Sequence, residues 1–370
     1  MRPPAVKTSG KLHVVGGGLA GIAAALEGRR RGWRVTLYEA TASLGGRCRS
    51  WLDDRLGLVI DNGSHLLLSA NRASRAHVRA IGGAPLRPLP WRLPVADLAG
   101  GRRRHLPGLE AAGWLAAALA GRMPEATPLF ALFCTSLLNT PPQEACPELL
   151  RRTLLAILSG PRGWVAPEGL AASLVPALAF TGQARLTAIG TEAGRARRLI
   201  FGDRAVDLGA ADGVVLALPP APVGALLGIA VPEHHSPIVN AHFRVDGAAG
   251  LPAVLGLLGG TAEWLFARGP LVSVTVSAAD RLVGLPADEL AAMLWADAAR
   301  ALGLGGRPPA WRIVKERRAT LRQTPATLAL RPGPRTALAN LSLAGDWTAT
   351  GLPCTIEGAI LSGRRAVEVL

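Results

Sequence analysis

The sequence predicts an α/β fold, with parallel strands covered by helices and a larger α+β region set among them. Three observations predict it. A short strand near the N-terminus runs into a glycine-rich turn and then a helix. An apolar run at Gly213–Pro220 reads as a buried strand, and a strand-like segment at Asn340–Ala344 leads into a closing helix. Strand and helix periods alternate in this way when helices pack on a sheet.

The first element, Lys11–Val15, is apolar and β-branched, and passes directly into Gly16-Gly17-Gly18-Leu19-Ala20-Gly21, a G-x-G-x-x-G match. The helix that follows extends through Arg31, with Ile22 and Leu26 toward the sheet, and Gly32 ends it. Trp33–Glu39 forms the second strand and closes on an acid, with Ala40 beside it. Each part has a physical task. Gly16 makes the tight turn, Gly18 lets the backbone approach a pyrophosphate, and Gly21 lets helix and strand pack closely. The helix start at Leu19 and Ala20 offers free N–H groups and the positive end of a dipole to phosphate. Glu39 accepts hydrogen bonds from ribose hydroxyls. Strand, glycines, helix, strand and acid in register over about 30 residues predict a Rossmann-like dinucleotide-binding unit rather than an ordinary glycine-rich turn.

Composition narrows the class. The chain has 370 residues, 49% hydrophobic and 18% charged, enough for a full core and about two domains. No apolar run reaches the roughly 18 residues of a spanning helix; Ala111–Ala120, Leu129–Leu138 and Leu170–Phe180 are all too short. Met1–Gly10 is polar and proline-containing, so no signal peptide is expected and the cytoplasm is the predicted location. Cys48, Cys134, Cys146 and Cys354 form no CxxC and no metal spacing with the seven histidines, which predicts reduced structural thiols and no metal. The net charge of +15 rests almost wholly on arginine, with lysine only at positions 7, 11 and 315. Alongside abundant Ala, Gly and Pro this reflects GC-rich coding in part. No nucleic-acid motif accompanies the charge, so the expected partner is an anionic membrane surface, touched peripherally, and not nucleic acid.

After Glu39, the run Gly45-Gly46-Arg47-Cys48-Arg49-Ser50 resembles the E-x(5)-G-G-R-x-x-S signature of the flavoprotein family of monoamine oxidases, phytoene desaturases and protoporphyrinogen oxidase. The resemblance implies FAD, with Gly45 and Gly46 passing close to it and Arg47 supporting its pyrophosphate. Toward the C-terminus, it implies that the backbone of Gly345 and Asp346 meets the pyrophosphate, that Asp346 meets the ribityl chain, and that the helix starting at Thr355 and Ile356 points at the flavin N1–C2=O edge. Read alone, Thr355 is a plain N-cap and Glu357 a first-turn acid. Mid-chain, Gly182–Ile189 reads as a strand and Arg197–Leu208 as a hairpin around Gly202-Asp203. In the resembled family such a segment rejoins the FAD domain, and a residue near Leu186 contacts the adenine. The expected FAD-binding domain is therefore discontinuous, 11–85, 181–230 and 336–370, with a substrate-binding domain at 86–180 and 231–335.

Within the first insert, Leu109–Leu138 holds two apolar runs broken by Arg122-Met123-Pro124-Glu125, which reads either as a lid dipping into a bilayer or as a helical hairpin buried against the core. A narrower resemblance rests on Asp61-Asn62-Gly63-Ser64-His65-Leu66-Leu67-Leu68, on segments from Ile238, Gly259, Val272 and Val314, and on the block Leu343–Ala359. Together these look like the squalene-associated FAD-dependent desaturases, the hydroxysqualene dehydroxylases of hopanoid pathways, over nearly the whole chain. Two departures stand out: 86–170 is shorter than in typical members, and Cys354 replaces a small residue. The resemblance implies that a hydrophobic C30 isoprenoid alcohol loses its hydroxyl as water, that the resulting allylic cation takes a hydride from reduced flavin, and that a proton donor stands near the hydroxyl. His65 and Glu357 are the candidate donors; the alternatives are a backbone hydrogen bond for His65 and an arginine partner for Glu357. No second nucleotide-binding unit is found, since Gly303–Gly306 lacks strand, spacing and acid, so the electron donor is left open. Rival readings are a polyprenoid desaturase, an amine oxidase using Lys315, and a flavin-binding scaffold without chemistry. The amine oxidase reading lacks an aromatic cage, because the single tyrosine, Tyr38, lies on the second strand.

Overall fold

The computed structural model describes residues 10–106, 109–120, 127–158, 162–248 and 250–370. Four parallel strands form one sheet in the order Leu341–Leu343, Gly213–Leu216, Lys11–Val15, Arg34–Tyr38. Gly213–Leu216 is buried at every position, as a parallel strand covered on both faces must be. The helix Leu19–Arg30 and the last helix, Ile356–Glu368, pack closely on one face. A Cβ on Gly363 would lie 2.1 Å from the Ala20 carbonyl oxygen, so only glycine permits this approach.

The other face carries an antiparallel meander, Ala188–Glu192, Arg195–Phe201 and Arg204–Asp207, whose Leu199 and Phe201 pack with Tyr38, Val214 and Leu343. The hairpin expected around Gly202 is therefore present. The strand expected at Gly182–Ile189 begins only at Ala188. Gln183 takes a left-handed φ of 54°, which breaks an extended run, and Thr181 instead makes an isolated bridge to Tyr38. The run expected as a strand to Pro220 ends at Leu216, because Pro220 opens the helix Pro220–Leu227.

A second, seven-stranded sheet has the order Trp311–Leu321, His235–Arg244, Leu271–Val276, Trp264–Arg268, Val254–Leu258, Leu93–Asp97, Arg102–Leu106. Beyond the register shift between Ser236 and Ile238, side chains of its central strands alternate between two faces. Val239, Ala241 and Phe243 pack against the helix Ala287–Leu302, whereas Asn240 and His242 point the other way. That opposite face meets the hairpin Ser50–Asp53/Leu58–Asp61 and the helix Pro128–Leu138, which buries Phe130, Cys134 and Leu138 with Val254 and Trp264. The apolar runs of Leu109–Leu138 form two helices, Leu109–Leu119 and Pro128–Leu138, with Trp114 edge-on to Phe130 at 5.5 Å. Pro128–Leu138 is packed on the core as the hairpin alternative has it, whereas Leu109–Leu119 buries Trp114 and leaves Leu119 exposed; Arg122-Met123-Pro124-Glu125 lies outside the described residues. Among the described residues no helix is long and apolar enough to cross a membrane. All four cysteines are free and buried, and burial pushes the thiols of Cys48, Cys134 and Cys354 up to about 12.

Candidate active site

The three motif glycines are distinguishable by what a side chain would meet. At Gly16, with φ +106°, an added Cβ would lie 2.2 Å from the Ala217 carbonyl oxygen, and at Gly21 it would lie 1.8 Å from that of Gly16. At Gly18 it would meet no protein atom within 4 Å. Two of the glycines therefore serve the fold, and the third faces open space in front of the helix start. Leu19 and Ala20 begin that helix; Gly18, the N-cap, supplies no side-chain cap, and no acid stands in the first turn. An N-terminus left in this way suits a pyrophosphate. Glu39 directly follows the adjacent strand Arg34–Tyr38, its Oε2 accepting from the Gly17 N–H at 2.7 Å and its Oε1 from the Thr41 N–H and hydroxyl at 2.9 Å. The neighbouring Ala40 is half-buried.

Gly45 and Gly46 run alongside the glycine turn: Gly45 donates its N–H to the Gly17 carbonyl, and both hold positive φ. Arg47 then reaches across the molecule. Its Nη2 donates to Asp346 Oδ1 at 2.7 Å and its Nη1 to the Ala319 carbonyl at 2.5 Å. Asp346 is buried, while Arg47 keeps about half its side-chain surface open to the crevice, so it has donors left for an anion. Gly345, at φ +150°, turns the chain beside the Trp347 ring. Thr355 caps the last helix, accepting from the Gly358 N–H at 3.2 Å, with Ile356 half-buried behind it.

Arg331 was not read from the sequence. Buried, it donates to the carbonyls of Asp346, Trp347, Thr348 and Leu352, and so sets the loop that presents Asp346. Leu186 is buried in the cluster between sheet and meander, while its neighbours Arg185 and Thr187 are exposed.

The two donor candidates part company here. Among the described residues Glu357 pairs with no arginine. Its Oε1 accepts from the Ala73 N–H and its Oε2 from the Ser74 N–H, each at 2.8 Å, and Oε2 also accepts from Ser74 Oγ at 2.7 Å. It thus caps the helix Arg72–Ile81 from across the fold. His65 instead stands exposed on the wall of an open cleft with a cavity volume of about 50 Å³, with Asp61, Ser64, Phe266, Leu170 and Ser273 around it. Although the side chain opens onto the cleft, the protein packed around it displaces water and lowers its pKa, Asp61 opposes that shift and Arg47 adds to it. The expected alternative of a backbone hydrogen bond for His65 is not among the bonds of the described residues. A second cleft, with a cavity volume of about 320 Å³, shares Arg87, Pro167, Ala267 and Arg268 with the first and continues along Ala248 and Leu251.

Behind the cleft lies a polar network with partners far apart in sequence. Asp61 accepts from Ser50 Oγ at 2.5 Å, the Leu170 N–H at 2.9 Å and Arg268 Nη1 at 3.2 Å. Asn62 donates to Glu316 Oε2 at 3.0 Å, and its carbonyl accepts from Asn240 Nδ2 at 3.1 Å. Lys315 sits on the opposite face of the strand from Glu316, where Nζ donates to the Leu285 carbonyl. It is therefore turned away from the crevice that the amine oxidase reading needs it to enter.

Comparison with known proteins places this geometry. Residues 165–370 match the family model of flavin containing amine oxidoreductases, and residues 14–80 that of an NAD(P)-binding Rossmann-like domain. A hydroxysqualene dehydroxylase of Rhodopseudomonas palustris is 39% identical, covering 97% of this chain and 98% of its own. That of Sinorhizobium fredii is 38% identical, with 97% of each chain covered. The chain belongs to the hydroxysqualene dehydroxylase branch of the flavin-containing amine oxidoreductases. A solved oxidoreductase from Methanosarcina mazei shares the fold, with a TM-score of 0.75 at 15% identity over 97% of this chain and 100% of that one. The protein is an FAD-dependent oxidoreductase, and the open space at Gly18, the uncapped helix and the half-exposed Arg47 fit that cofactor.

Proposed function

We propose that the enzyme converts hydroxysqualene to squalene by reductive dehydroxylation. The observation that carries this reading is His65, a titratable side chain exposed on the wall of a cleft that combines apolar residues with Asp61, Arg87 and Arg268. Val165, Ala166, Pro167, Leu170, Ala253 and Phe266 give the cleft walls suited to an isoprenoid chain, and the adjoining cleft lengthens the space. Both oxygens of Glu357 are engaged as acceptors, so His65 is the proton donor in this reading. Its imidazolium form, which the nearby Asp61 carboxylate favours, delivers a proton to the substrate hydroxyl oxygen, which leaves as water. Reduced flavin supplies the hydride that replaces it. The apolar walls keep bulk water from the allylic carbon.

FAD is held by 11–85, 181–230 and 336–370, with Gly16, Gly18, Leu19, Ala20, Gly21, Glu39, Ala40, Gly45, Gly46, Arg47, Gly345, Asp346, Thr355 and Ile356 at the cofactor and the stretch around Leu186 at the adenine. Residues 86–180 and 231–335 hold the substrate. An external donor reduces the flavin. The net charge of +15 and the exposed arginines 102, 103 and 104 support peripheral contact with an anionic membrane. The test is anaerobic: reduce the bound flavin chemically, add hydroxysqualene, and follow flavin reoxidation together with squalene. Stoichiometric squalene is expected; reduced flavin beside intact substrate overturns the reading.

A further inference from the structure

The face of the seven-stranded sheet that meets the cleft carries four polar residues in register, Asn240 and His242 on one strand and Thr275 and Ser273 on its neighbour. Asn240 and Thr275 have a structural explanation. Thr275 Oγ1 donates to Asn240 Oδ1 at 2.8 Å, and Asn240 Nδ2 donates to the Asn62 carbonyl, which fixes the loop before His65. In the second pair, His242 Nε2 is buried and has no hydrogen-bond partner within the described residues. His242 is fully buried, its Nδ1 lies 2.7 Å from Ser273 Oγ, and Ser273 lines the same cleft as His65. A buried polar pair costs more than the apolar residues that fill the rest of these strands, unless its hydrogen-bonding capacity is used.

We propose that Ser273, held by His242, is a positioning residue for the hydroxyl end of the substrate. The assignment rests on the reading of the cleft as the hydroxysqualene site. A serine hydroxyl is one donor and two acceptor lone pairs, so the bond to His242 leaves Ser273 Oγ with capacity for a second partner. That partner is the substrate hydroxyl, placed between Ser273 on the sheet and His65 on the facing loop. Nothing on Ser273 reacts; it fixes which carbon–oxygen bond lies beside His65. An alcohol is thereby favoured over the hydrocarbon product, whose release the same serine does not oppose.

The distinguishing experiment compares two ligands on the oxidised holoenzyme, hydroxysqualene and squalene, with flavin fluorescence as the binding signal. Ser273→Ala is expected to weaken hydroxysqualene by roughly three- to tenfold, the loss of one neutral hydrogen bond, and to leave squalene unchanged. Ser273→Thr, which keeps the hydroxyl, is expected to restore most of the difference. Flavin content and melting temperature of each variant show that it is folded. A merely structural serine predicts equal losses for both ligands or no loss for either, and either result overturns the proposal. Wild-type holoenzyme that ignores hydroxysqualene in both this assay and turnover overturns the substrate reading and this proposal with it. Wild type that responds, with Ser273→Ala responding identically, overturns the serine alone.

Discussion

The carboxylate of Glu357, the second residue of the last helix, holds the backbone N–H groups of Ala73 and Ser74 at the start of a helix 283 residues earlier in the chain. Asn71, which stands at the N-cap of that helix, gives it no side-chain bond, because its Oδ1 accepts from the Leu68 N–H. An acid at this point satisfies two orphan donors and meets the positive end of the helix dipole. Glu357→Gln places an amide N–H₂ against these donors and Glu357→Ala leaves them unsatisfied. Each is expected to lower stability by about 2 kcal/mol, read by chemical denaturation, while Glu357→Gln retains turnover measured per bound flavin. Loss of turnover in a fully flavinated Glu357→Gln protein would return that residue to the proton-donor role.

Gly16 and Gly18 separate fold from cofactor. Gly16→Ala drives a methyl into the Ala217 carbonyl and is expected to abolish soluble folded protein. Gly18→Ala meets no protein atom, so the apoprotein should keep its circular dichroism and melting behaviour while its affinity for FAD falls by about tenfold or more, through the methyl intruding on the pyrophosphate position. FAD titration of the two apoproteins checks both statements.

The Arg47–Asp346 pair joins the GGR loop to the C-terminal loop. Single substitutions Arg47→Ala and Asp346→Asn are each expected to weaken FAD, and the double variant to lose less than the sum, since either change alone already severs the link. Strict additivity of the two losses would show that the residues hold the cofactor independently.

Stability against pH carries two opposed contributions. Burial lowers His242 from 6.5 to about 4, so between those values the unfolded chain binds the proton and the native one does not; native stability falls as pH drops through that window. Burial raises Glu263 from 4.5 to about 7, so there the native chain holds the proton, and stability falls as pH rises. Each contribution reaches about 3 kcal/mol at most. Denaturation of His242→Gln and Glu263→Gln at pH 5, 6 and 7 should therefore show slopes displaced in opposite directions from wild type: downward with rising pH for the histidine variant, upward for the glutamate variant.

What the sequence disclosed was local. The glycines of the first turn, the Gly45-Gly46-Arg47 run and the block around Asp346 are short stretches whose backbone demands are written in adjacent residues. Arg331, Asn240, Asp61 and Gln323 are different. Each is a single polar residue in an unremarkable stretch, and its meaning lies in partners brought close by folding. Gln323 shows the point: buried, it donates to the Leu138 carbonyl and accepts from the Cys354 N–H, linking the helix of the first insert to the loop that precedes the last helix. Glu357 was picked out for its position beside the flavin motif, and its partners, Ala73 and Ser74, carry no feature that names them as partners. The misread strand at Gly182–Ile189 failed for another reason, a left-handed residue at Gln183 that no propensity for glycine or asparagine announces.

The strand order of the parallel sheet has a bearing on how the enzyme is made. Lys11–Val15 lies beside Gly213–Leu216, which lies beside Leu341–Leu343, and the last helix seats its Gly363 on Ala20 of the first. A ribosome delivers the glycine turn early and Asp346, Thr355 and Gly363 late. The nascent chain thus carries a dinucleotide fingerprint with only part of its supporting sheet and no roof, through most of translation. The last strand of the parallel sheet and the helix that rests on Ala20 are therefore the last of these elements to leave the ribosome.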